Sequence, residues 1–220
     1  MSGGLDVAAF TVGPASENTY IVRRDGSGRG ILIDPGAEPD RLIGALDELT
    51  VAVEAILVTH THFDHVGAVA ALARHTGAPV YCPVLERDVL ADLDAYMAAT
   101  GFGPFESYEA DEVLAGGEHL ELAGLDIDVL FTPGHSPGHL TYAIPSEQTL
   151  FSGDVLFAGS VGRVDLPGGD WPTLAASIGR LLDDYPADTV VYAGHMSATT
   201  LGAERDTNPF LAGLPVPATG

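Results

Sequence analysis

The heptapeptide Thr59-His60-Thr61-His62-Phe63-Asp64-His65 sets three histidines and an aspartate within six positions, directly after the apolar run Val53-Glu54-Ala55-Ile56-Leu57-Val58. A strand that ends this way delivers metal-ligating groups to one edge of a sheet. Alternate residues of an extended chain point the same way, so His60 and His62 can grip one ion together. Asp64 and His65 fall on the turn into the next helix and reach a neighbouring position. Imidazole nitrogen mixed with carboxylate oxygen suits zinc. A histidine-rich surface loop is the plain alternative. Against it, the spacing is tight and the rest of the chain supplies matching partners in Gly134-His135, Gly153-Asp154 and Gly194-His195.

These groups need strands to carry them. Apolar runs and turn residues predict strands over 5–12, 18–24, 30–33, 53–58, 80–82, 120–122, 125–131, 139–144, 149–151 and 189–192. Helices are expected over 39–49, 65–75 (closed by Gly77), 85–99 (ending at Gly101) and 173–184, and a long glycine-rich loop over 156–171. Four of the strands then run into a ligand-type residue. Side chains gathered at the carboxyl ends of strands are how α/β sheets build sites on loops over a rigid scaffold.

At 220 residues the chain can bury a substantial core, and its 46% hydrophobic content is that of a soluble globular protein. No apolar run approaches the roughly 18–20 residues of a membrane span. The start, Met1-Ser2-Gly3-Gly4-Leu5-Asp6, has neither a basic nor a long apolar segment. No signal peptide is visible there, and a cytoplasmic location is expected. Cys82 is the only cysteine, so no intramolecular disulfide can form. Acidic residues number 31 against 9 basic ones, all arginine, for a formal charge of −22. Nucleic acids and anionic membranes would be repelled, so neither is expected as a partner.

The motif 60–65, followed in order by His135, Asp154 and His195, resembles the metallo-β-lactamase superfamily. The resemblance runs from Leu32-Ile33-Asp34-Pro35-Gly36 to Thr207-Asn208-Pro209-Phe210 and implies a single domain over 1–220. It also implies an α/β (α+β) fold, a four-layer αβ/βα sandwich with the metals at one edge between two mixed sheets. Three stretches, 132–139, 162–170 and 200–205, are similar to the compact bacterial glyoxalase II-like hydrolases. Position by position, the resemblance implies His60, His62 and His135 on a first divalent ion. Asp64, His65 and His195 would hold a second, with Asp154 bridging. Zinc is expected, with iron or manganese as alternatives. Two dications about 3.5–4 Å apart need an anionic bridge, and bound water then ionises near neutral pH. Asp64 and Asp154 are thus the carboxylates placed closest to the chemistry. No general acid is conspicuous beside the ligands, although Tyr192 could lie near. A thiolate leaves without prior protonation whereas an amine does not, so a small-molecule thioester is the expected substrate.

A mononuclear iron persulfide dioxygenase of the same fold is the competing reading. It would use two histidines and an aspartate and shares the Gly-Arg-x-Asp loop at 162–165. Other polar residues carry structural expectations. His139 is assigned a loop-fixing hydrogen bond, His75 a favourable charge at a helix end, His119 a place at the surface. Asp34 reads equally as an orienting partner of a ligand or as a turn former. Arg163 and Asp165 are expected to form a buried ion pair, and Cys82 to be a small core residue. Met196 and Ser197 follow the last histidine where the family usually has glycine or glutamate. Only about two dozen residues come after it, so the helical domain with which longer glyoxalase II enzymes bind glutathione is not expected.

Overall fold

The computed structural model describes residues 4–97 and 103–212. Its strands are apolar on both faces in alternation. In the stretch from Tyr20 to Val22, Tyr20 and Val22 face one way and Ile21 the other. Ile31 and Ile33 likewise oppose Leu32, and Ala55 and Leu57 oppose Ile56. A sheet built from such strands has to be covered on both sides.

The first sheet takes up β1 (Leu5–Val12), β2 (Glu17–Arg24), β3 (Arg29–Ile33), β4 (Ala52–Leu57), β5 (Val80–Pro83) and β6 (Glu112–Leu114), side by side in chain order. Its first three strands are antiparallel and its last four parallel. The second sheet contains β7 (His119–Leu122), β8 (Leu125–Phe131), β9 (Leu140–Ile144) and β10 (Thr149–Gly153). After a two-stranded ribbon, β11 (Leu156–Phe157) with β12 (Ser160–Val161), β13 (Val190–Ala193) and β14 (Thr199–Thr200) complete it in the order β14-β13-β10-β9-β8-β7.

The sheets face each other across a core of Tyr20, Val22, Ile31 and Leu57 from the first and Ile127, Tyr142 and Phe151 from the second. On the outer face of the first sheet, Ile21, Leu32 and Ile56 meet Leu42 and Leu46 of α1 (Pro39–Leu49). A later helix, Val69–Thr76, adds Val69 and Leu72 to the same layer. Outside the second sheet, Ala143, Leu150 and Val191 meet Leu174, Ile178 and Leu181 of the helix Trp171–Asp184. The expected four-layer αβ/βα sandwich is therefore present. Each fully buried Ile, Leu or Phe of these layers contributes about 1.5–3 kcal/mol.

The helix 39–49 has the expected bounds, with Pro39 at its start and Leu42, Ala45 and Leu46 on its buried face. The helix expected over 65–75 is instead two, α2 (Phe63–Val66) and α3 (Val69–Thr76), the latter closed by Gly77 at φ 69°. The break has a cause. The Ala68 N–H donates to Pro35 O at 3.0 Å rather than back along the helix, and Gly67 packs so closely on Gly36 that a Cβ would lie 2.5 Å from the Gly36 oxygen. The expected helix over 85–99 is likewise split into α4 (Arg87–Ala91) and α5 (Leu93–Met97) at Asp92. There Leu93 N donates to the Ser107 hydroxyl at 3.0 Å. The end expected near Gly101 falls outside the described residues. The loop 156–171 contains the β11–β12 ribbon, and Trp171 already begins α6 (Trp171–Asp184), capped by Asp170. No helix among the described residues is long and apolar enough to cross a membrane.

Candidate metal centre

Strand ends bring the sequence-predicted ligands together. His60 and His62 follow β4, and Asp64 and His65 lie on the single turn of α2. His135 sits between β8 and β9, Asp154 directly after β10, and His195 two residues after β13. Two donor groups result. In the first, His60 Nε2, His62 Nδ1 and His135 Nε2 stand 2.8–3.2 Å from one another. In the second, His195 Nε2 is 3.4 Å from Asp64 Oδ2, and His65 completes the group. Asp154 spans both: Oδ2 is 3.5 Å from His135 Nε2 and 3.5 Å from His195 Nε2, while Oδ1 is 3.3 Å from His65 Nε2. All seven expected residues are in this cluster. Its tightness depends on Gly194, where a Cβ would lie 2.3 Å from Asp154 Oδ1.

Hydrogen bonds at the far ring nitrogens decide which atoms face inward. Nδ1–H of His65 donates to Asp34 Oδ2 at 2.9 Å, and Nδ1–H of His135 to the carbonyl of Arg163 at 2.8 Å. His60 Nδ1 is 3.1 Å from Thr59 Oγ1, which itself donates to Asp34 Oδ2 at 2.6 Å. His195 Nδ1 faces Ser16 O at 3.3 Å. With Nδ1 so engaged, Nε2 of all four faces the cluster. His139 is different. Its Nε2 accepts from the Asp154 backbone N–H at 3.0 Å, and its Nδ1 lies 3.2 Å from Thr132 Oγ1. Both nitrogens are occupied, so His139 fixes the Asp154 loop, as its loop-fixing assignment anticipated.

The donor set fits metal ions. His65 Nε2 and Asp154 Oδ1 are buried without a hydrogen-bond partner, an expensive condition unless a cation lies between them. Charge distribution agrees. Burial, joined by the neighbouring imidazoles, pushes His60 well down and His62 down to about 4, so both rings are neutral. Burial would push His195 down too, but hydrogen bonds to Asp154 and Asp64 outweigh it and hold the ring up at about 10. Burial opposes the charge on Asp154, yet His65 and His195 keep that carboxyl well below its usual range. In this half of the site the protons on the histidines occupy the electrostatic role of a cation.

Several supporting residues carried no signal in the sequence. Glu86 is buried and accepts from Thr61 N at 2.7 Å, Thr61 Oγ1 at 2.9 Å, Gly138 N at 2.8 Å and the Ser136 hydroxyl. It joins the loop of His60 and His62 to the loop of His135. Asn18 Nδ2 donates to Met196 O at 2.8 Å, and the Asn18 backbone N–H donates to Gly194 O at 2.7 Å, which ties down the His195 loop. Asp34 turns out to orient His65 while also accepting from Thr59 N at 2.7 Å. Tyr192 stacks on Phe151 at 5.3 Å within the intersheet core. His119 is exposed at the start of β7, and Cys82 is buried, as expected.

Arg163 and Asp165 correct the expectation of burial. They pair at 2.7 and 2.8 Å, but the side chains are 60% and 68% exposed. The reason is local: two residues apart on an open loop, they reach each other without covering elements. Six other arginines also face a carboxylate: Arg23, Arg24, Arg29, Arg41, Arg74 and Arg87. Arg180 and Arg205 instead donate to the backbone carbonyls of Phe131 and Leu182. Every arginine in the chain thus has an acceptor.

A sandwich whose strand ends converge on a two-part histidine and carboxylate cluster defines a metal-dependent class of protein. The model of the metallo-beta-lactamase superfamily matches residues 12–195, and the chain belongs to that superfamily. It is 37% identical over 208 residues to a Bacillus subtilis protein named "Probable metallo-hydrolase YqgX", covering 92% of this chain and 96% of that one. Over 209 residues it is 36% identical to the Haemophilus influenzae hydroxyacylglutathione hydrolase GloC, covering 94% and 98%. Among solved structures, BLEG-1 B3 metallo-beta-lactamase superposes with a TM-score of 0.89 at 39% identity, covering 94% of this chain and 100% of that one. TTHA1623 in a di-iron-bound form does so with a TM-score of 0.82 at 43% identity, covering 93% and 100%.

Proposed function

We propose that this chain is a two-metal hydrolase of thioesters, of the glyoxalase II-like kind, converting an S-2-hydroxyacyl thiol into a 2-hydroxy acid and free thiol. The observation that carries the reading is the sharing of Asp154 between two complete donor groups. His60, His62 and His135 would hold one ion, Asp64, His65 and His195 the other, with Asp154 contributing to both. Zinc is the first choice of metal; the di-iron form of a relative keeps iron in contention. When bound, such a pair supplies an ionised water at neutral pH and a Lewis acid for the carbonyl oxygen.

The chain's own residues do the rest. Asp34 holds the His65 ring through Nδ1, and Thr59 relays the same carboxylate to His60. His139 and Gly194 keep Asp154 in its shared position. A leaving thiolate needs no proton donor, which suits a cluster whose inward groups are ligands. The mononuclear dioxygenase reading would need one ion on two histidines and an aspartate, and would leave the Asp64, His65 and His195 group without a role.

Metal content together with a panel of acyl-thiol esters, including S-lactoyl-glutathione, tests the proposal. Two equivalents of metal and thioester turnover are expected. One equivalent of iron, no thioester turnover and sulfite formed from a persulfide under oxygen would overturn it.

A further inference from the structure

Beside the metal centre lies a hollow of about 300 Å³ walled by Val12, Pro14, Ala37, Phe63, Pro104 and Phe105. Asp64 forms part of the same wall, and its Oδ2 lies 3.4 Å from His195 Nε2, so the hollow borders the second donor group. Phe63 and Phe105 pack with ring centroids 5.7 Å apart and give it an aromatic side. Its size is at the lower end for ligand pockets. With a water's share of liquid volume near 30 Å³, it has room for about ten non-hydrogen atoms.

We propose that this hollow is the acyl subsite, and that among 2-hydroxyacyl and simple acyl thioesters the enzyme selects those whose acyl chain is apolar and about four to eight carbons long. The proposal rests on the thioesterase reading above and names its substrate class. Three observations favour the acyl side of the substrate as occupant. Asp64, a member of the second donor group, stands in the wall of the hollow, so a thioester reacting at the centre would have a substituent within its reach. Among the described lining residues the walls are hydrocarbon apart from Asp64, the one charged side chain there. A peptide or nucleotide thiol carrier is larger than the space and carries anionic groups. None of the nine arginines is among the residues that line the hollow, so its wall offers such groups no cation.

Two measurements on the metal-loaded protein separate the pocket from the chemistry. The first is steady-state kinetics on acetyl, butyryl and hexanoyl esters of one neutral thiol. Each added methylene should raise kcat/KM about fourfold until the hollow is full, as burial of a methylene predicts. In Phe105→Ala the hexanoyl-to-acetyl ratio should fall at least fivefold. The second is the affinity of acetate, butyrate and hexanoate by calorimetry, which needs no turnover. Hexanoate should bind at least tenfold more tightly than acetate, and Phe105→Ala should shrink that ratio. If hexanoate binds tightly while no thioester is hydrolysed, the pocket stands and the thioesterase reading falls. If thioesters are hydrolysed without dependence on chain length, or the carboxylates bind alike, the acyl subsite is refuted.

Discussion

Glu86→Gln is the sharpest probe of how the first donor group is held together. The buried carboxylate receives four hydrogen bonds, two on Oε2 from Thr61 and two on Oε1 from Ser136 and Gly138. Glutamine keeps the shape but turns one oxygen into an amino group that faces two donors. Two charge-assisted hydrogen bonds are then lost, at about 1.5–3 kcal/mol each, for a destabilisation of about 3–6 kcal/mol. That is a large share of a typical 5–15 kcal/mol. Because the two oxygens serve different ligand loops, the loss should also reach the metal. Displacing the His60 and His62 loop from the His135 loop should weaken binding at the first position about 10- to 100-fold. Denaturant titration of the metal-free protein reads the first effect, and competition with a chromophoric chelator the second. Ser136→Ala, which removes a single bond, should fall between the variant and the wild type in both. A Glu86→Gln protein that loses stability but keeps wild-type metal affinity would refute the coupling and leave Glu86 a purely structural residue. No change in either would refute the whole argument.

Other outcomes follow from the same geometry. Asp154→Ala should lose one equivalent of metal and at least about a hundredfold in turnover, whereas His139→Ala should retain both ions, as counted by metal analysis. In the metal-free protein His195 is held near 10 against about 6.5 in the unfolded chain, so its stabilisation is complete below about pH 6.5 and is lost as pH rises through 10. The melting temperature of metal-free protein should therefore decline across that window, and that of metal-loaded protein should not, since an ion replaces the proton; parallel profiles would refute the assignment. Burial pushes the Cys82 thiol far up, so it should resist alkylation in the native state and react only on unfolding.

The members of the cluster were legible in the sequence because candidate metal-binding side chains at strand ends stand out, and those ends are marked by Gly134, Gly153 and Gly194 ahead of them. The helix α1 was legible for a similar reason, since Pro39 and the spacing of Leu42, Ala45 and Leu46 act locally. What failed was decided by distant contacts. Nothing near Gly67 announces that Pro35 O will capture the Ala68 N–H and divide the helix. Glu86 has no pattern around it, because its three partner residues are 25 to 52 positions away. The Arg163–Asp165 pair was found by charge and spacing, but exposure depends on what covers a loop, which two residues cannot reveal.

The pairing of every arginine has a consequence for encounter rates. With each positive side chain facing its own acceptor, the field beyond the protein is set by a surplus of carboxylates, a formal charge of −22. Small dications are drawn in by such a field and small anions are slowed. Added salt shortens its reach to about 8–10 Å near physiological strength. Rising ionic strength should therefore slow metal capture by the empty protein while speeding the approach of an anionic thioester. A neutral thioester should arrive at the same rate throughout.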